Sequence, residues 1–299
     1  MSQAQQVAVV GLGSMGYGMA QSLIRARHQV SGFDVSPKAQ DRLKDEGGLT
    51  HSVGDIAGTI DALVVVVLNA DQLKSVLFDD PGWANHMKPG SVVIACPTVA
   101  PNIAKQLCEQ CESKGIHYLD APISGGAAKS AAGQLSVMAS GSAAAFSAAR
   151  PVLDATAEKV FELGENAGAG SAMKAVNQML AGVHIAAMAE AMTFGVTQGI
   201  EPAQLVKVIS QCAGTSWMFE NRAPHVVDGD YTAHSSINIW PKDLGIVLDI
   251  ANQANYSAPI TKTALEQFSE AAKSGLGQED DAAVAKIYAA QANVKLPGQ

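Results

Sequence analysis

Cysteine is scarce in this chain. Four residues in 299, Cys96, Cys108, Cys111 and Cys212, are too few and too scattered to form a disulfide framework. Cys108 and Cys111 have CxxC spacing, but they lie in a helical pattern with no second pair and no nearby histidine pair to complete a zinc site. Structural thiols are expected, in a cytoplasmic protein. The seven histidines show no HxH or HExxH spacing, so metal catalysis has no support and no metal ligand is assigned. Positive charge is also short. Twenty Lys and Arg against 28 Asp and Glu leave a net charge of −8, which argues against nucleic-acid and anionic-membrane partners. An anionic substrate must then be met by a few local cations. The run Ala62–Leu68 is far too short to span a bilayer. Met1–Gln6 is polar and lacks a basic region followed by an apolar core, so no signal peptide is expected.

With 47% hydrophobic and 16% charged residues, the chain can bury a sizeable core, and its length suits two domains. Its most informative stretch is Gly11-Leu12-Gly13-Ser14-Met15-Gly16, directly after the apolar run Val7–Val10. The order reads strand, tight turn, helix, then a second strand ending at Asp34. Gly11 permits the turn, Gly13 lets the backbone approach a pyrophosphate, and Gly16 lets helix pack on strand. The helix N-terminus offers free N–H groups to the phosphates. Asp34 can accept from a ribose 2′-hydroxyl but repels a 2′-phosphate, and Val35 brings no guanidinium to pair with one. NAD is favoured over NADP, although Lys38 lies close by in sequence.

Residues 1–163 alternate β-rich runs with helical stretches. The strands expected after the first βαβ unit are Ala62–Leu68, Ser91–Ala95, Gly115–Asp120, Gln134–Ala139 and Lys159–Leu163, with helices such as Pro101–Lys114 and Ala143–Asp154 between them. This pattern predicts a doubly wound α/β Rossmann sheet. After the glycine-rich segment Gly164–Gly170 the character changes. Ser171 to about Gly199 is apolar nearly all round, which suits a helix buried in a larger assembly. Further helices are expected over Pro202–Cys212, Pro241–Asn255, Pro259–Ser274 and Asp280–Asn293. Residues 164–299 should form an all-helical domain.

Four motifs together resemble the β-hydroxyacid dehydrogenase family, which includes the 3-hydroxyisobutyrate dehydrogenases. They are Gly11–Gly16, Asp120-Ala-Pro-Ile-Ser124-Gly125-Gly126, Gly168-Ala-Gly170-Ser-Ala-Met-Lys174-Ala-Val-Asn177, and Lys242-Asp243-Leu244. The resemblance implies a 6-phosphogluconate dehydrogenase-like architecture: an N-terminal Rossmann domain, a long linking helix, and a helical domain that helps form a homodimer or homotetramer. It also implies NAD-dependent oxidation of a small anionic hydroxyacid. Ser124, Gly125 and Gly126 would grip the carboxylate through a hydroxyl and backbone N–H groups.

Lys174 matches the family's catalytic lysine. As a free amine it takes the alcohol proton, and as an ammonium it polarises the carbonyl in the reverse direction. That role needs a buried, partly apolar site, which Met173, Val176 and Met179 are expected to supply. Asn177 and Gln178 lie three and four residues on, so both can share its helix face and bind substrate. Glu190 is excluded as a partner, because 16 residues of helix place it roughly 24 Å away. His184 sits in the apolar helix as a core residue. By the same resemblance Asn69, Thr98 and Lys242 contact the cofactor, the first two from strand C-termini. Cys96-Pro97 before Thr98 departs from the family's usual small hydroxyl residue.

The stretch Ser216–Arg222, with His225 and Asp228–Tyr231, is similar to the branch of the family acting on four-carbon sugar acids. Asn221 could serve the extra hydroxyls. Oxidation of the 2-hydroxyl of L-threonate to its 2-oxo acid is the implied reaction. The alternatives are a 3-hydroxyisobutyrate dehydrogenase, a tartronate or succinic semialdehyde reductase, and a non-enzymatic NAD-sensing module.

Overall fold

The computed structural model describes residues 4–298; the polar start at residues 1–3 and residue 299 lie outside the described residues. The chain divides into two compact units, one up to Lys174 and the other from Ala175.

The first unit begins with β1 (Gln6–Val10), α1 (Ser14–Arg25), β2 (Gln29–Phe33), α2 (Pro37–Asp45), α3 (Val53–Ile56) and β3 (Ala62–Val65). It continues through α4 (Ala70–Phe78), β4 (Val92–Ala95), α5 (Pro101–Glu112) and β5 (His117–Asp120). These five strands form one sheet in the order β2-β1-β3-β4-β5, every neighbouring pair parallel. Alternation along the strands divides the core between the two faces. Val7, Val9, Val64, Ile94 and Leu119 pack on one side with Leu23 of α1. Ala8, Val10, Leu63, Val65 and Tyr118 pack on the other with Leu73 of α4 and Leu107 of α5. Burial on both faces is why β3 and β4, and β1 after Gln6, read as continuous apolar runs.

Beyond Asp120 the single sheet expected from sequence divides. β6 (Ile123–Ser124), α6 (Gly126–Ala132), β7 (Leu135–Ala139), α7 (Ala143–Thr156) and β8 (Ala157–Glu162) follow. Their strands make a separate sheet, β6-β7-β8, in which β6 and β7 run antiparallel. The chain continues in the same direction through Ala121-Pro122, where Met138 N–H donates to Pro122 O at 2.9 Å. A two-way backbone bridge ties the sheets together: Asp120 N–H donates to Ser140 O at 3.0 Å, and Ser140 N–H to Asp120 O at 2.8 Å.

The long helix α8 (Ala169–Thr197) contains the division between the units. By length and composition it could cross a membrane. However, its Ile185, Met188, Ala189 and Met192 belong to the core of the second unit. That unit continues with α9 (Pro202–Ile209), α10 (Trp217–Asp228), α11 (Ile239–Gln253), α12 (Pro259–Ala271), a 3₁₀ turn at Asp281–Val284, and α13 (Ala285–Ala292). It is helical, as expected. α10 is not among the helices expected from the sequence; Ser216 caps its start, Pro224 lies inside it, and Gly229 in the left-handed region closes it. The helix expected over Asp280–Asn293 is a 3₁₀ turn followed by α13, because Asp280 caps the turn through Ala282 N–H.

Candidate active site

Gly11 has φ +93°, and a Cβ there would stand 2.2 Å from the Val66 carbonyl oxygen. At Gly16 a Cβ would stand 1.8 Å from the Gly11 carbonyl oxygen, so α1 can follow the turn only without a side chain there. At Gly13 a Cβ would meet no protein atom within 4 Å, which leaves the backbone open on that side. The turn is therefore shaped by the fold at two glycines and left clear at the third, as a pyrophosphate cradle requires. Ser14 and Met15 open α1, so their N–H groups lie in its first turn. Asp34 closes the site just beyond β2. Its carboxylate accepts from Leu12 N–H at 2.6 Å and from Ser36 N–H at 2.8 Å, one bond to each oxygen. A carboxylate has about four acceptor positions, so capacity remains for a ribose hydroxyl. Asn69 caps α4 through Gln72 N–H at 2.9 Å, and Thr98 is buried beyond β4. These residues fit a dinucleotide.

The Ser124-Gly125-Gly126 loop is held beside this turn by helix packing. A Cβ at Gly18 of α1 would lie 2.6 Å from Ala131 N of α6. Ser130 Oγ of α6 donates to Met15 O at 2.5 Å, and Ser22 Oγ donates to Ser130 O at 2.9 Å. Ser124-Gly125-Gly126 leads into α6, with φ of +138° and +76° at the two glycines. Only glycine adopts two such conformations in succession without strain.

Lys174 is 8% exposed, and its Nζ donates to the Ile123 carbonyl oxygen at 2.9 Å, one residue before Ser124. The lysine expected to serve as base thus reaches the loop expected to hold the anion. Its enclosure has a different origin from the one expected, because Met173 and Val176 are exposed. Each residue turns about 100° around a helix, so positions one before and two after Lys174 point away from it. At the start of α8, Asp120 Oδ2 accepts from Gly168 N–H and Ser171 N–H, each at 2.9 Å, while Oδ1 accepts from Ser171 Oγ at 2.7 Å. Burial pushes the Asp120 carboxyl up from its ordinary pKa, outweighing these donors.

In the second unit, Asn177 Nδ2 donates to Gln178 Oε1 at 3.0 Å, and Gln178 Nε2 donates to Asp243 Oδ2 at 2.5 Å. Lys242 Nζ lies 2.6 Å from Asp243 Oδ1. Both ends of the Gln178 amide are thereby engaged. Much of the stretch read as substrate-specific serves the fold instead. Met218 and Phe219 are buried, Arg222 pairs with Asp281 at 2.5 Å, and His225 pairs with Asp280 at 2.9 Å. Asn221 Oδ1 accepts from the Arg222 guanidinium, and Trp217 is exposed.

Other chemistry finds less support. Burial pushes the thiols of Cys96, Cys108 and Cys111 up to about 12, which removes them as nucleophiles at neutral pH. Among the described residues, no group of three His, Cys, Asp or Glu side chains could hold a metal ion. Ser31 Oγ lies 3.0 Å from His51 Nδ1, but the nearby Asp55 carboxylate is engaged by Ser52. That corner borders a hollow of about 280 Å³ at the N-terminal ends of β1 and β2, away from the strand C-termini where such sheets bind ligands.

A family model described as the NAD binding domain of 6-phosphogluconate dehydrogenase matches residues 6–164. A second, described as the NAD-binding of NADP-dependent 3-hydroxyisobutyrate dehydrogenase, matches residues 168–288. Fold and cofactor site therefore define an NAD-dependent dehydrogenase, an enzyme rather than a binding module. The chain belongs to the β-hydroxyacid dehydrogenase family, of the 3-hydroxyisobutyrate dehydrogenase type. It is 46% identical to an L-threonate dehydrogenase of Cupriavidus necator, over 99% of each chain. A 3-hydroxyisobutyrate dehydrogenase of Pseudomonas aeruginosa is 34% identical, over 94% of this chain and 98% of that one. A crystal structure titled 3-hydroxyisobutyrate dehydrogenase, from Salmonella typhimurium, superposes with a TM-score of 0.90 at 47% identity, covering 95% of this chain and 99% of that one.

In the sequence Asp120 and Ser171 stand only as members of longer motifs, with no role of their own marked. Their bond spans 51 positions, and no local pattern marks such a pairing. The one available sign was the polar Ser171 at the start of an otherwise apolar helix.

Proposed function

We propose that this enzyme oxidises the 2-hydroxyl of L-threonate to the 2-oxo acid with NAD, and that Lys174 is its general acid and base. The observation that carries the reading is the 2.9 Å bond from Lys174 Nζ to Ile123 O, at the threshold of Ser124-Gly125-Gly126. A neutral amine has two N–H groups and one lone pair. One N–H is directed to Ile123 O, which places Nζ beside the loop, and the lone pair is what would take the substrate hydroxyl proton. Ser124 Oγ and the N–H groups of Gly125 and Gly126 receive the carboxylate. The amine takes the hydroxyl proton as the C2 hydrogen leaves with its electron pair; a dinucleotide whose pyrophosphate rested on Gly11–Gly16 would supply the nicotinamide that accepts that pair.

Leu12, Ser14, Met15, Asp34, Asn69 and Thr98 hold the cofactor on the Rossmann side, and Lys242 does so from the helical domain. Asn177 binds substrate, with Gln178 fixing its amide and standing as the further substrate contact. NAD is the cofactor over NADP, since Asp34 presents a carboxylate to the ribose. Residues 1–163 form the cofactor domain and 164–299 the helical domain, a division supported by the limits of the two family models. The oligomer is a homodimer or homotetramer, in the cytoplasm. Its support is the apolar row Met173, Val176 and Leu180, exposed along one side of α8.

A second reading, oxidation of 3-hydroxyisobutyrate, is favoured by the name of the 47% identical Salmonella structure. A panel of L-threonate, D-threonate, D-erythronate, 3-hydroxyisobutyrate and D-glycerate, each with NAD and with NADP, separates the two. NADH formation confined to L-threonate is expected. Preference for 3-hydroxyisobutyrate would overturn the substrate but leave the dehydrogenase.

A further inference from the structure

Helix α8 begins directly over the bridge between the two sheets. A Cβ at Gly170 would lie 2.4 Å from the Met138 carbonyl oxygen and 2.8 Å from that of Asp120, so the first turn rests on backbone. A helix leaves its first N–H groups without internal partners, and burial makes leaving them unpaired costly. Here a carboxylate and a hydroxyl meet them. Ser171 N–H donates to Asp120 Oδ2 at 2.9 Å, and Gly170 N–H donates to Ser140 Oγ at 2.9 Å. Ser140 Oγ in turn donates to Asp120 Oδ2 at 3.2 Å. Gly168 N–H and Ser171 Oγ complete a set of four donors on one carboxylate, which is 1% exposed.

Lys174 lies one turn beyond Ser171, and the carbonyl it meets, Ile123 O, lies three residues beyond Asp120. Asp120 therefore joins the two pieces of backbone that fix both ends of the Lys174–Ile123 hydrogen bond. A shift or rotation of the first turn moves Nζ relative to Ser124-Gly125-Gly126, and misplacement by about 1 Å can cost on the order of a hundredfold in rate.

We propose that Asp120 is a positioning residue of the reaction: its buried carboxylate pins the first turn of α8 and so sets Lys174 Nζ against the substrate loop. The inference rests on the reading of Lys174 as acid and base. It is tested in the full-length enzyme with D120N, D120A, S171A and K174A. For each variant, NAD binding, thermal midpoint, kcat, KM for L-threonate and the pH profile of kcat are measured.

D120N keeps one acceptor oxygen for the Gly168 and Ser171 N–H groups, and D120A keeps none. The expected order of kcat is wild type, D120N, D120A. D120N should lose on the order of tenfold to a hundredfold, with NAD affinity unchanged, the KM for L-threonate changed less than kcat, and the pH midpoint of kcat displaced. S171A removes only the 2.7 Å bond to Oδ1 and should show the same displacement with a smaller loss, so it decides the matter if the Asp120 variants do not fold. Wild-type kcat and pH midpoint in folded D120N and S171A would overturn the proposal. So would losses matched by the unfolded fraction alone. Turnover by K174A would overturn the reading of Lys174 itself. A silent K174A beside wild-type-like D120N and S171A would leave that reading standing and remove only this one.

Discussion

In the proposed reaction Lys174 is the base, and its Nζ is placed by a hydrogen bond to the Ile123 carbonyl, a group that cannot titrate. Lys174→Arg keeps a cation of similar reach but offers no neutral form at working pH. We expect it to bind NAD as the wild type does and to lose on the order of 10²- to 10⁴-fold in kcat, the range general-base catalysis supplies. Stopped-flow turnover on enzyme with measured NAD occupancy checks this. At the same scale, Asp280 governs acid stability in the second unit. Burial pushes its carboxyl up, but the N–H groups of His234 and Ala282 together with His225 outweigh it, so its pKa is lowered. A lowered folded pKa gives stability that is complete above the unfolded value of about 3.9 and is lost as pH falls through the folded value. Urea midpoints measured down the acid limb should fall steeply in the wild type and more gently in Asp280→Asn. The thiols give a third check: Cys212, exposed, should react with a thiol reagent well before Cys96, Cys108 and Cys111.

Among elements, α1 follows the Gly11–Gly16 turn and α6 the Ser124-Gly125-Gly126 loop proposed to bind substrate, and Gly18 lets the two helices approach. Gly18→Ala places a methyl 2.6 Å from Ala131 N, so overpacking should cost about 1–3 kcal/mol by chemical denaturation and weaken NAD and substrate binding together. Normal stability in that variant would mean the helices are not in essential contact. Elements with a strong period were legible in the sequence. The buried runs of β1, β3 and β4 came through because their burial is near-uniform along the strand, and α8 because apolar residues recur along its whole length. β6 has two residues, too few for any period to show. The departure of β6–β8 into a second sheet begins where the chain stops pairing with β4 and pairs antiparallel with β7, from Asp120 opposite Ser140 onward, across 20 positions. α10 is not among the expected helices, although its buried Met218, Phe219, Ala223 and Val226 repeat at helical spacing; Pro224 inside it works against the pattern. In the site, the motif residues were legible. What fixes them in place was not, because the Asp120 contacts cross 20 to 51 positions.

For the whole molecule, the apolar row Met173, Val176 and Leu180 is the feature least suited to a monomer in water. Light scattering on the native enzyme should give a multiple of the monomer mass, and Leu180→Glu should reduce it. A monomeric wild type would contradict the proposed assembly without touching the chemistry. The net charge of −8 leaves anion recognition to local donors, which places the weight of the account on Lys174 beside Ser124-Gly125-Gly126. The most direct test is NADH formation from L-threonate by wild type and Lys174→Ala, with NAD affinity measured on the same preparations. The account predicts turnover by the wild type, a loss on the order of 10²- to 10⁴-fold in the variant, and equal NAD affinity in both. Turnover by the variant within a few-fold of wild type would contradict it.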